Sequence, residues 1–512
     1  MFTQSQLKQL SDRGITEEQA LQQLGIFKKG IAPVRLARPA VPNDGIEIFG
    51  QKEIDYYKEL FRKEKKQISI IKFVPASGAA SRMFKQLFEA KTEFINNSHD
   101  PSVVFTKLPE IEKFYRDLKT YPFYDDLVKV CKEKGKDPES MIKSEKYAEL
   151  LDVLLSGSGL SYGELPKGLL KFHRYSDETR TAFEEHFVEA SRFLGDRNNV
   201  IKMHFTVSAE HKKLFEKLAD ELIKKYSSKY NVNFKVDFSV QKPSTDTLAV
   251  DLDNNPFVQD NKILFRPGGH GALLENMQDI DEQMIFVGNI DNVSPDKTKK
   301  LRVSYKELLG GILIERIHKI HGLLSRLDEG YSEELKNEIH DFVNLYISTT
   351  SAAELVKYAD NEFVDHVKNI LNRPVRVCGM VKNAGEPGGG PFWISDKNGN
   401  ISKQVVESSQ VNLVDPKQKK LFSEATHFNP VDMVCYTSSF RGEKFKLENY
   451  RDQDMAFIAL KSQGSNTLKA LELPGLWNGS MAGWLTFFVD VPVETFSPVK
   501  TIFDLLREEH LS

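Results

Sequence analysis

The first candidate for a chemical role is the stretch RPGGHGALLENMQDIDEQMIFVGNIDN, residues 266–292. Its pattern predicts a glycine-rich turn, a short helix and a strand that ends on an acid. The turn holds His270 between glycines, and the strand ends at Asp291 with Asn289 and Asn292 close by. Ligands of open α/β sheets bind beyond the carboxyl ends of the strands. The order therefore suggests a nucleotide held over a sheet edge, and an ordinary turn with a helix cap at Asp291 is the alternative.

A second candidate anion site is the stretch VPASGAASRMFK, residues 74–85, which follows an apolar strand and opens a helix. Its small residues would let backbone N–H groups approach an anion, a helix N-terminus adds partial positive charge, and Arg82 can bind phosphate oxygens with its forked guanidinium. A tight strand-to-helix turn with a surface arginine is the alternative. Walker and GxGxxG spacings are both missing, so neither a P-loop nor a nicotinamide site is indicated.

Composition and charge exclude several classes of function. The chain has 512 residues, 40% hydrophobic and 28% charged, and its 70 Lys and Arg against 73 Asp and Glu give a net charge of -3. This balance offers no general field for nucleic acid or an anionic membrane, so neither is an expected partner. The sequence shows neither a signal peptide nor a run of about 18 apolar residues, so we expect a cytoplasmic location.

Cysteine spacing and one polar run indicate structural roles. Cys131, Cys378 and Cys435 stand far apart and are odd in number, which fits buried thiols in a reducing compartment better than disulfides. The run STTS, residues 348–351, lies in a helical section and is expected to be a loop or helix cap. Neither feature is expected to carry chemistry.

Helix and strand patterns divide the chain into three predicted parts. Residues 1–66 have apolar residues at helical spacing and are expected to form a helical N-terminal extension. Residues 67–373 are predicted to form an α/β core, because helices and strands alternate between about 180 and 300, with a helical insertion at about 84–164. Residues 374–512 mix short strands with glycine-rich turns and are expected to pack on the core as a mixed α/β part.

A strand, a small-residue loop ending in Ser-Arg-Met and a later Pro-Lys pair before an apolar run resemble the sugar-1-phosphate nucleotidyltransferases. The resemblance implies an α/β fold with a Rossmann-like (GT-A-like) mixed sheet and helices on both faces. It makes Arg82 and Lys167 phosphate-binding cations, and it assigns nucleotide contacts to Ala76, Ser77, Gly78 and Ala79. The chain departs from the family at Ser77 and Ala80, where members usually have glycine.

The turn and strand described first resemble the branch of this family that makes UDP-sugars. The resemblance assigns a magnesium ion to Asp291 and nucleoside contacts to Gly268, Gly269, His270 and Gly271. Phe-x-Pro-Val-Lys before an apolar helix is where that branch brings a lysine to the phosphates, which makes Lys500 a further catalytic cation. A lysine at a helix start is unfavourable for the helix dipole, which favours a nearby anion as its reason.

Other stretches match the same branch in the same order. The resemblance places Gln241 near the uracil and four residues near the sugar: Asn289, Glu407, His427 and Asn429. Glycines and aromatic residues within 385–393 could flank a sugar ring, and a glycine-rich surface turn is the alternative. A buried hydrogen-bonding role is the alternative for each single residue.

The resemblance implies a reaction between an NTP, with UTP favoured, and a sugar 1-phosphate to give an NDP-sugar and pyrophosphate with Mg²⁺. A glycosyltransferase is the rival enzyme, and its DxD motif would be DLD at residues 251–253, although DLDNNP is more typical of a turn. An inactive nucleotide-binding protein is the third hypothesis, because glycines are missing from the first loop. The whole chain also resembles an uncharacterised bacterial family of domain-of-unknown-function proteins, which implies no activity.

Overall fold

The computed structural model describes residues 2–511 except 79, 98–99, 196–197, 331, 384, 386–387 and 465, and only the backbone at 349, 360 and 361. Ala79, one of the predicted nucleotide contacts, lies outside the described residues, as do positions 386 and 387 of the predicted sugar-flanking stretch. Within the described part of the chain, each helix is too short or too polar to cross a membrane.

The helices begin and end where caps and breakers predict. Thr16 caps α2 by accepting the Gln19 N–H, and Ser348 caps α15 by accepting the Ser351 N–H, which confirms the structural role expected for the polar run. In chain order the helices are α1 (Gln4–Asp12), α2 (Glu17–Lys29), α3 (Gln51–Glu64), α4 (Lys85–Asn96), α5 (Ser102–Lys107), α6 (Pro109–Arg116), α7 (Tyr124–Glu133), α8 (Pro138–Lys143), α9 (Tyr147–Leu155), α10 (Ala182–Phe193), α11 (Lys212–Tyr230), α12 (Leu274–Gln278), α13 (Asp296–Glu329), α14 (Glu333–Phe342), α15 (Thr349–Leu355), α16 (Asp360–Leu371) and α17 (Pro416–Ser423).

The strands are short, and the most buried ones, such as MIFV (residues 284–287) and LTFFVD (residues 485–490), are mostly apolar, as strands covered on both faces are. In chain order they are β1 (Arg35–Pro39), β2 (Val41–Pro42), β3 (Gly45–Glu47), β4 (Ile70–Pro75), β5 (Lys171–Arg174), β6 (Thr179–Thr181), β7 (Val200–Thr206), β8 (Asn233–Ser239), β9 (Thr247–Val250), β10 (Val258–Gln259), β11 (Lys262–Ile263), β12 (Phe265–Arg266), β13 (Met284–Val287), β14 (Val375–Lys382), β15 (Gly390–Ser395), β16 (Ile401–Val406), β17 (His427–Phe428), β18 (Met433–Tyr436), β19 (Phe457–Gln463), β20 (Asn466–Glu472) and β21 (Leu485–Asp490).

The chain folds into two compact units, each built from separate stretches of sequence. The first unit contains Met1–Phe73, Ser239–Val287 and Lys306–Pro492, and the second contains Val74–Phe238, Gly288–Tyr305 and Val493–Ser512. This division differs from the three consecutive parts predicted from the sequence. Local patterns show where elements begin and end, but they do not show which distant stretches pack together.

The first unit is organised around a mixed β-sheet with the strand order β2-β3-β21-β14-β18-β13-β4. Strand β14 runs parallel to β21, and β13 runs parallel to β4. Strand β18 lies between β14 and β13 and runs antiparallel to both. The four residues of β13, MIFV, are all buried. The predicted α/β class with a mixed sheet is therefore confirmed.

The N-terminal residues form part of the first unit and are not only helical. Helices α1 and α2 pack their apolar faces on smaller sheets of the same unit, where Leu10 and Ile15 meet Leu248. Strand β1 pairs antiparallel with β15, and β3 pairs parallel with β21. The prediction of a helical extension over residues 1–66 is therefore wrong between Arg35 and Glu47. These strands are too short to show an alternating pattern, and long-range pairing forms them.

The second unit combines a helical subdomain with strands and two longer helices. Helices α4 to α9 occupy most of the stretch expected to be a helical insertion. Their common core includes Phe84 and Leu154 together with Val499 and Ile502 near the C-terminus. The unit also holds the β5-β6 hairpin, β7, α10 and α11. The helical subdomain therefore packs around the segment that carries Lys500.

The cysteines lie in these hydrophobic cores. Cys378 and Cys435 belong to the core of the first unit, and Cys131 belongs to the core of the helical subdomain. All three are free and buried, as expected.

We expect Gly311→Ala to destabilise the first unit. A Cβ at Gly311 would come within 1.9 Å of the Tyr57 carbonyl oxygen, where α13 crosses α3. Such overpacking costs about 1–3 kcal/mol of unfolding free energy. Gly322→Ala in the same helix is the matched control, because a Cβ at that exposed position meets no described atom within 4 Å. The control should gain about 0.5–1 kcal/mol from helix propensity. Urea unfolding measures both variants, and equal stability would contradict the close helix crossing.

Candidate active site

Asp291 lies in the second unit with its carboxylate between two lysines. Its Oδ2 accepts hydrogen bonds from Lys167 Nζ at 2.8 Å and from Lys500 Nζ at 3.1 Å. The side chains of Asp291 and Lys167 are 10% and 13% exposed, whereas the side chain of Lys500 is 46% exposed. Lys167 is therefore a fixed partner of the carboxylate, and Lys500 is the partner that can turn toward a ligand.

Backbone pairing of two distant segments sets the position of Asp291 beside Lys500. The Val499 N–H donates to the Asp291 carbonyl oxygen at 3.0 Å. The Asn292 side-chain oxygen accepts from the Ser497 N–H at 3.0 Å and from Arg302 Nη1 at 2.8 Å. Asn292 and Arg302 are buried, so they act as positioning residues. Neither positioning role was predicted from the sequence, because a buried arginine within a long helix has no local signature.

Lys167 is held by contacts from both of its sides. Its backbone N–H donates to the Gly78 carbonyl oxygen at 3.4 Å, and its Nζ also donates to the Val499 carbonyl oxygen at 2.7 Å. A Cβ at the next residue, Gly168, would come within 2.8 Å of the Phe215 ring. The glycine after Lys167 is therefore required by close packing. These contacts tie the lysine to the small-residue loop.

The small-residue loop is anchored at its start and exposed in its middle. Ala76 is buried and its N–H donates to the Thr206 carbonyl oxygen at 2.7 Å. Ser77, Gly78 and Arg82 are exposed. Arg82 has no side-chain hydrogen bond or ion pair with the described part of the chain. Its guanidinium is therefore available to an incoming anion.

The charges of this cluster favour an anionic ligand. Burial alone would raise the pKa of Asp291, but the charges and hydrogen bonds of Lys500 and Lys167 hold that pKa below its ordinary value. Burial lowers the pKa of Lys167, and Asp291 offsets only part of this effect. One carboxylate thus faces two amino groups. The cluster can take up negative charge.

The residues around Asp291 fit a magnesium ion that arrives with a substrate. Among the described residues there is no group of three or more His, Cys, Asp or Glu side chains placed to hold a metal. Mg²⁺ is commonly bound by one or two carboxylates together with water and substrate phosphates. A single carboxylate at Asp291 fits that kind of site, and does not fit a metal held by the protein alone.

In the first unit, the predicted nucleoside turn packs against its own chain. A Cβ at Gly271 would come within 2.1 Å of the Pro474 carbonyl oxygen, and a Cβ at Gly268 within 2.5 Å of the Thr245 carbonyl oxygen. Gly269 has a φ of +74°, in the left-handed region. The fold therefore needs these glycines, and their contact with a nucleoside stays a prediction.

His270 and Glu407 belong to one cluster of the first unit. The His270 ring stacks on Trp477 with centroids 4.2 Å apart, and its Nδ1 accepts the Leu476 N–H at 3.0 Å. Burial lowers the pKa of His270, so the ring is neutral, and the charge of Glu407 offsets only part of the effect. Glu407 Oε1 accepts from Asn478 Nδ2 at 3.1 Å. Sequence reasoning missed Trp477 and Asn478, which no motif marked.

The other two sugar-side candidates in the first unit are buried and oriented. His427 Nδ1 lies 2.8 Å from Thr426 Oγ1, and its Nε2 lies 3.0 Å from Asp490 Oδ1. Asn429 Oδ1 accepts the Val431 N–H at 3.0 Å. The buried Nδ2 of Asn429 has no hydrogen-bond partner among the described residues. Asn429 therefore has a donor to offer to a ligand.

The remaining predictions lie in loops. Gln241 and Asn289 are half-buried, in the first and second unit respectively. Asp251 Oδ1 accepts the N–H groups of Asp253 at 2.9 Å and Asn255 at 2.8 Å. The DLD stretch is thus a turn stabilised by its own aspartate, as its sequence indicated.

Sequence comparison identifies the family of the chain. The profile of a family described as a domain of unknown function (DUF4301) matches residues 3–511. The chain belongs to the DUF4301 family. This confirms the resemblance to an uncharacterised family of such proteins. None of the curated proteins matches this DUF4301 chain.

Two solved structures are similar to the DUF4301 chain at low identity. A UDP-N-acetylglucosamine pyrophosphorylase from Trypanosoma brucei in complex with an inhibitor is 12% identical, with a TM-score of 0.47 over 99% of this chain and 79% of that chain. A mutant UDP-glucose pyrophosphorylase from Leishmania major in complex with UDP-glucose is 12% identical, with a TM-score of 0.43 over the same shares of the two chains. At this level the likeness decides neither activity nor substrate.

We expect Asp291→Asn to lower stability in a pH-dependent way. Folding holds the pKa of Asp291 below its ordinary value of 3.8, so the carboxylate stabilises the folded state above that value. This contribution is lost as the pH falls through the folded pKa. At about pH 7 the variant should be about 1–3 kcal/mol less stable, because the buried Lys167 loses its carboxylate.

Chemical denaturation between about pH 3 and pH 7 measures this difference, which should narrow toward the acidic end. Asp281→Asn is the matched control, since that side chain is 99% exposed. A difference that stays constant over the range would contradict an ionised, buried Asp291.

Proposed function

We propose that the protein is a nucleotidyltransferase that joins an NTP, with UTP favoured, and a sugar 1-phosphate to give an NDP-sugar and pyrophosphate. The observation that carries the proposal is the Asp291 carboxylate held between Lys167 and Lys500. In a chain with a net charge of -3, two lysines beside one carboxylate form a local excess of positive charge, which supports a phosphate site here. A GT-A-like nucleotidyltransferase fold is part of the proposal and agrees with the mixed sheet.

The proposed reaction is an in-line displacement at the α-phosphorus of the NTP. An oxygen of the sugar 1-phosphate forms a bond to the α-phosphorus, and the bond from that phosphorus to the pyrophosphate oxygen breaks. Such chemistry requires alignment of the reactants and neutralisation of the leaving charge. The attacking phosphate is already ionised, so no general base is needed.

The cations of the second unit are proposed to contact different phosphates, according to how buried each side chain is. Lys167 is fixed and buried, and water screens its attraction for a phosphate less than at the surface. Lys500 is half exposed and can leave Asp291 for the phosphates. The exposed Arg82 has the forked donors that bind β- and γ-phosphate oxygens. Asp291 would hold Mg²⁺, whose charge stabilises phosphate oxygens when it is bound.

The polar residues of the first unit are proposed contacts to the base and the sugar. Gln241 can hydrogen-bond a uracil, and Glu407 can accept from sugar hydroxyls. The buried Nδ2 of Asn429 and the oriented ring of His427 support a polar ligand on this unit. The turn at Asp251 weakens the glycosyltransferase alternative, because its carboxylate is occupied by backbone N–H groups.

Pyrophosphate release by the purified protein with Mg²⁺ tests the proposal. UTP, GTP, CTP, ATP and dTTP are each combined with a panel of sugar 1-phosphates. Release that requires one nucleotide and one sugar phosphate supports the transferase and names both substrates. NDP formed from an NDP-sugar would instead identify a glycosyltransferase. No turnover together with a nucleotide-dependent rise in melting temperature would identify a binding protein.

We expect Lys500→Ala to lower the turnover number with little change in stability. Loss of a charged contact made to the reacting phosphates costs about 10²–10³-fold in turnover. Lys217→Ala is the matched control, because Lys217 is exposed on α11. Turnover numbers and melting temperatures of both variants are compared with those of the unmodified protein. Near-normal turnover in Lys500→Ala would remove the proposed role of this lysine.

A further inference from the structure

A large pocket in the first unit opens at the amino ends of β14 and β21. Its volume is about 980 Å³, and it is lined by residues just before β14, such as Arg373, and just before β21, such as Gly483. His427 and Asp490 lie at the other edge, where the same strands end. The pocket is therefore a different place in the first unit from the sugar-side candidates.

Two arginines that line this pocket form no ion pair with a carboxylate of the described residues. Arg373 Nε donates to the Asn369 carbonyl oxygen at 2.5 Å, and the residue forms no ion pair with the described residues. The Nε and Nη2 atoms of Arg451 are buried without a hydrogen-bond partner in the described structure. By contrast, the buried Arg316 of the same unit pairs with Glu47 at 2.6 Å. Buried charges are costly unless they are paired, so an anion bound in this pocket would stabilise the two arginines.

The acidic residues that line the pocket form no ion pair with either arginine in the described structure. Glu354 Oε2 lies 3.9 Å from His366 Nε2. Asp396 accepts hydrogen bonds from the Asn400 backbone at 2.8 Å and side chain at 2.9 Å. Asp452 follows Arg451 in the sequence, but its Oδ1 accepts the Asp454 N–H at 2.9 Å. Burial lowers the pKa of Arg373 and of Arg451, and at Arg451 the charges of Glu275 and Glu448 offset only part of this effect.

Aromatic residues and a close backbone approach shape the space around the arginines. The Gly483 N–H donates to the Tyr450 carbonyl oxygen at 2.9 Å, and a Cβ at Gly483 would come within 3.0 Å of that oxygen. Trp484 lines the pocket, and its buried Nε1 has no acceptor among the described residues. The side-chain oxygen of Asn372, Oδ1, is also buried and accepts no hydrogen bond from the described residues. These polar groups line the same pocket as the two arginines.

We propose that this pocket binds a phosphate group, free or carried on a small metabolite, through Arg373 and Arg451. The planar guanidinium fork matches phosphate oxygens, and the Trp484 N–H supplies a further donor. The volume has the size of sites that hold a whole small molecule, and Tyr450 provides an aromatic wall for its organic part. This second site does not depend on the proposed transferase activity.

The Trp484 indole N–H provides a local measurement of binding. The chain has only 3 tryptophans, so ¹⁵N-tryptophan labelling gives few resonances, and Trp484→Phe assigns the relevant one. Inorganic phosphate and a sugar phosphate are titrated separately at constant ionic strength. Saturable movement of this resonance is expected, and tighter binding of the sugar phosphate would identify the metabolite as the ligand. Equal affinity would identify the free anion.

Variants of the two arginines test whether the shift of the Trp484 resonance reports phosphate binding to Arg373 and Arg451. Arg451→Gln and Arg373→Gln should each weaken binding about tenfold or more. Arg451→Lys keeps the charge but loses the fork, so it should recover only part of the affinity. Arg441→Gln is the control, because that side chain is 62% exposed and paired with Asp328. Lys500→Gln should leave the Trp484 response unchanged, which separates this site from the Asp291 cluster.

Stability without phosphate separates a binding role from a structural one. An unpaired buried charge destabilises the fold, so Arg451→Gln should keep or raise the melting temperature in phosphate-free buffer. A lower melting temperature there would show that Arg451 is structural and would overturn the proposal. So would an unmoved Trp484 resonance, or equal phosphate affinity in both glutamine variants and the unmodified protein.

Discussion

The buried carboxylate of Asp291 is the group on which the candidate active site depends. A carboxylate removed from water requires cationic partners, and a buried ammonium group requires an anion in return. One oxygen of Asp291 accepts hydrogen bonds from both Lys167 and Lys500. These two lysines are far apart in the sequence. The charge requirement therefore joins three distant segments of the second unit at one point.

The helical subdomain supports this arrangement from the apolar side. Val499 and Ile502, which flank Lys500, lie in the same core as helices α4 to α9. Asp504 Oδ2 accepts the N–H groups of Lys500 at 2.8 Å and Thr501 at 2.6 Å, so the backbone after the lysine is also fixed. The helical insertion contains no chemical motif, but it helps to position Lys500. Its core buries Val499 and Ile502, and their burial restricts the position of the Lys500 backbone.

The sequence predicted local elements better than it predicted long-range pairing. The apolar runs of β4 and β13, the Ser348 cap and the Asp251 turn all have local causes, so their patterns indicate them correctly. Strands β1 and β3 depend on partners far along the chain, and their few residues show no period. The positioning role of Arg302 and the unpaired state of Arg451 depend on what surrounds them, which no spacing reveals.

The glycines differ in whether the fold itself explains them. At Gly268 and Gly271, the chain's own carbonyl oxygens occupy the space that a Cβ would need. At Gly78, a Cβ would meet no described atom within 4 Å, and the backbone does not adopt the left-handed conformation that favours glycine. The fold therefore accepts a side chain at Gly78, just as it accepts one at Ser77. A ligand that approaches the loop backbone beside Lys167 would supply the reason for glycine that the fold does not.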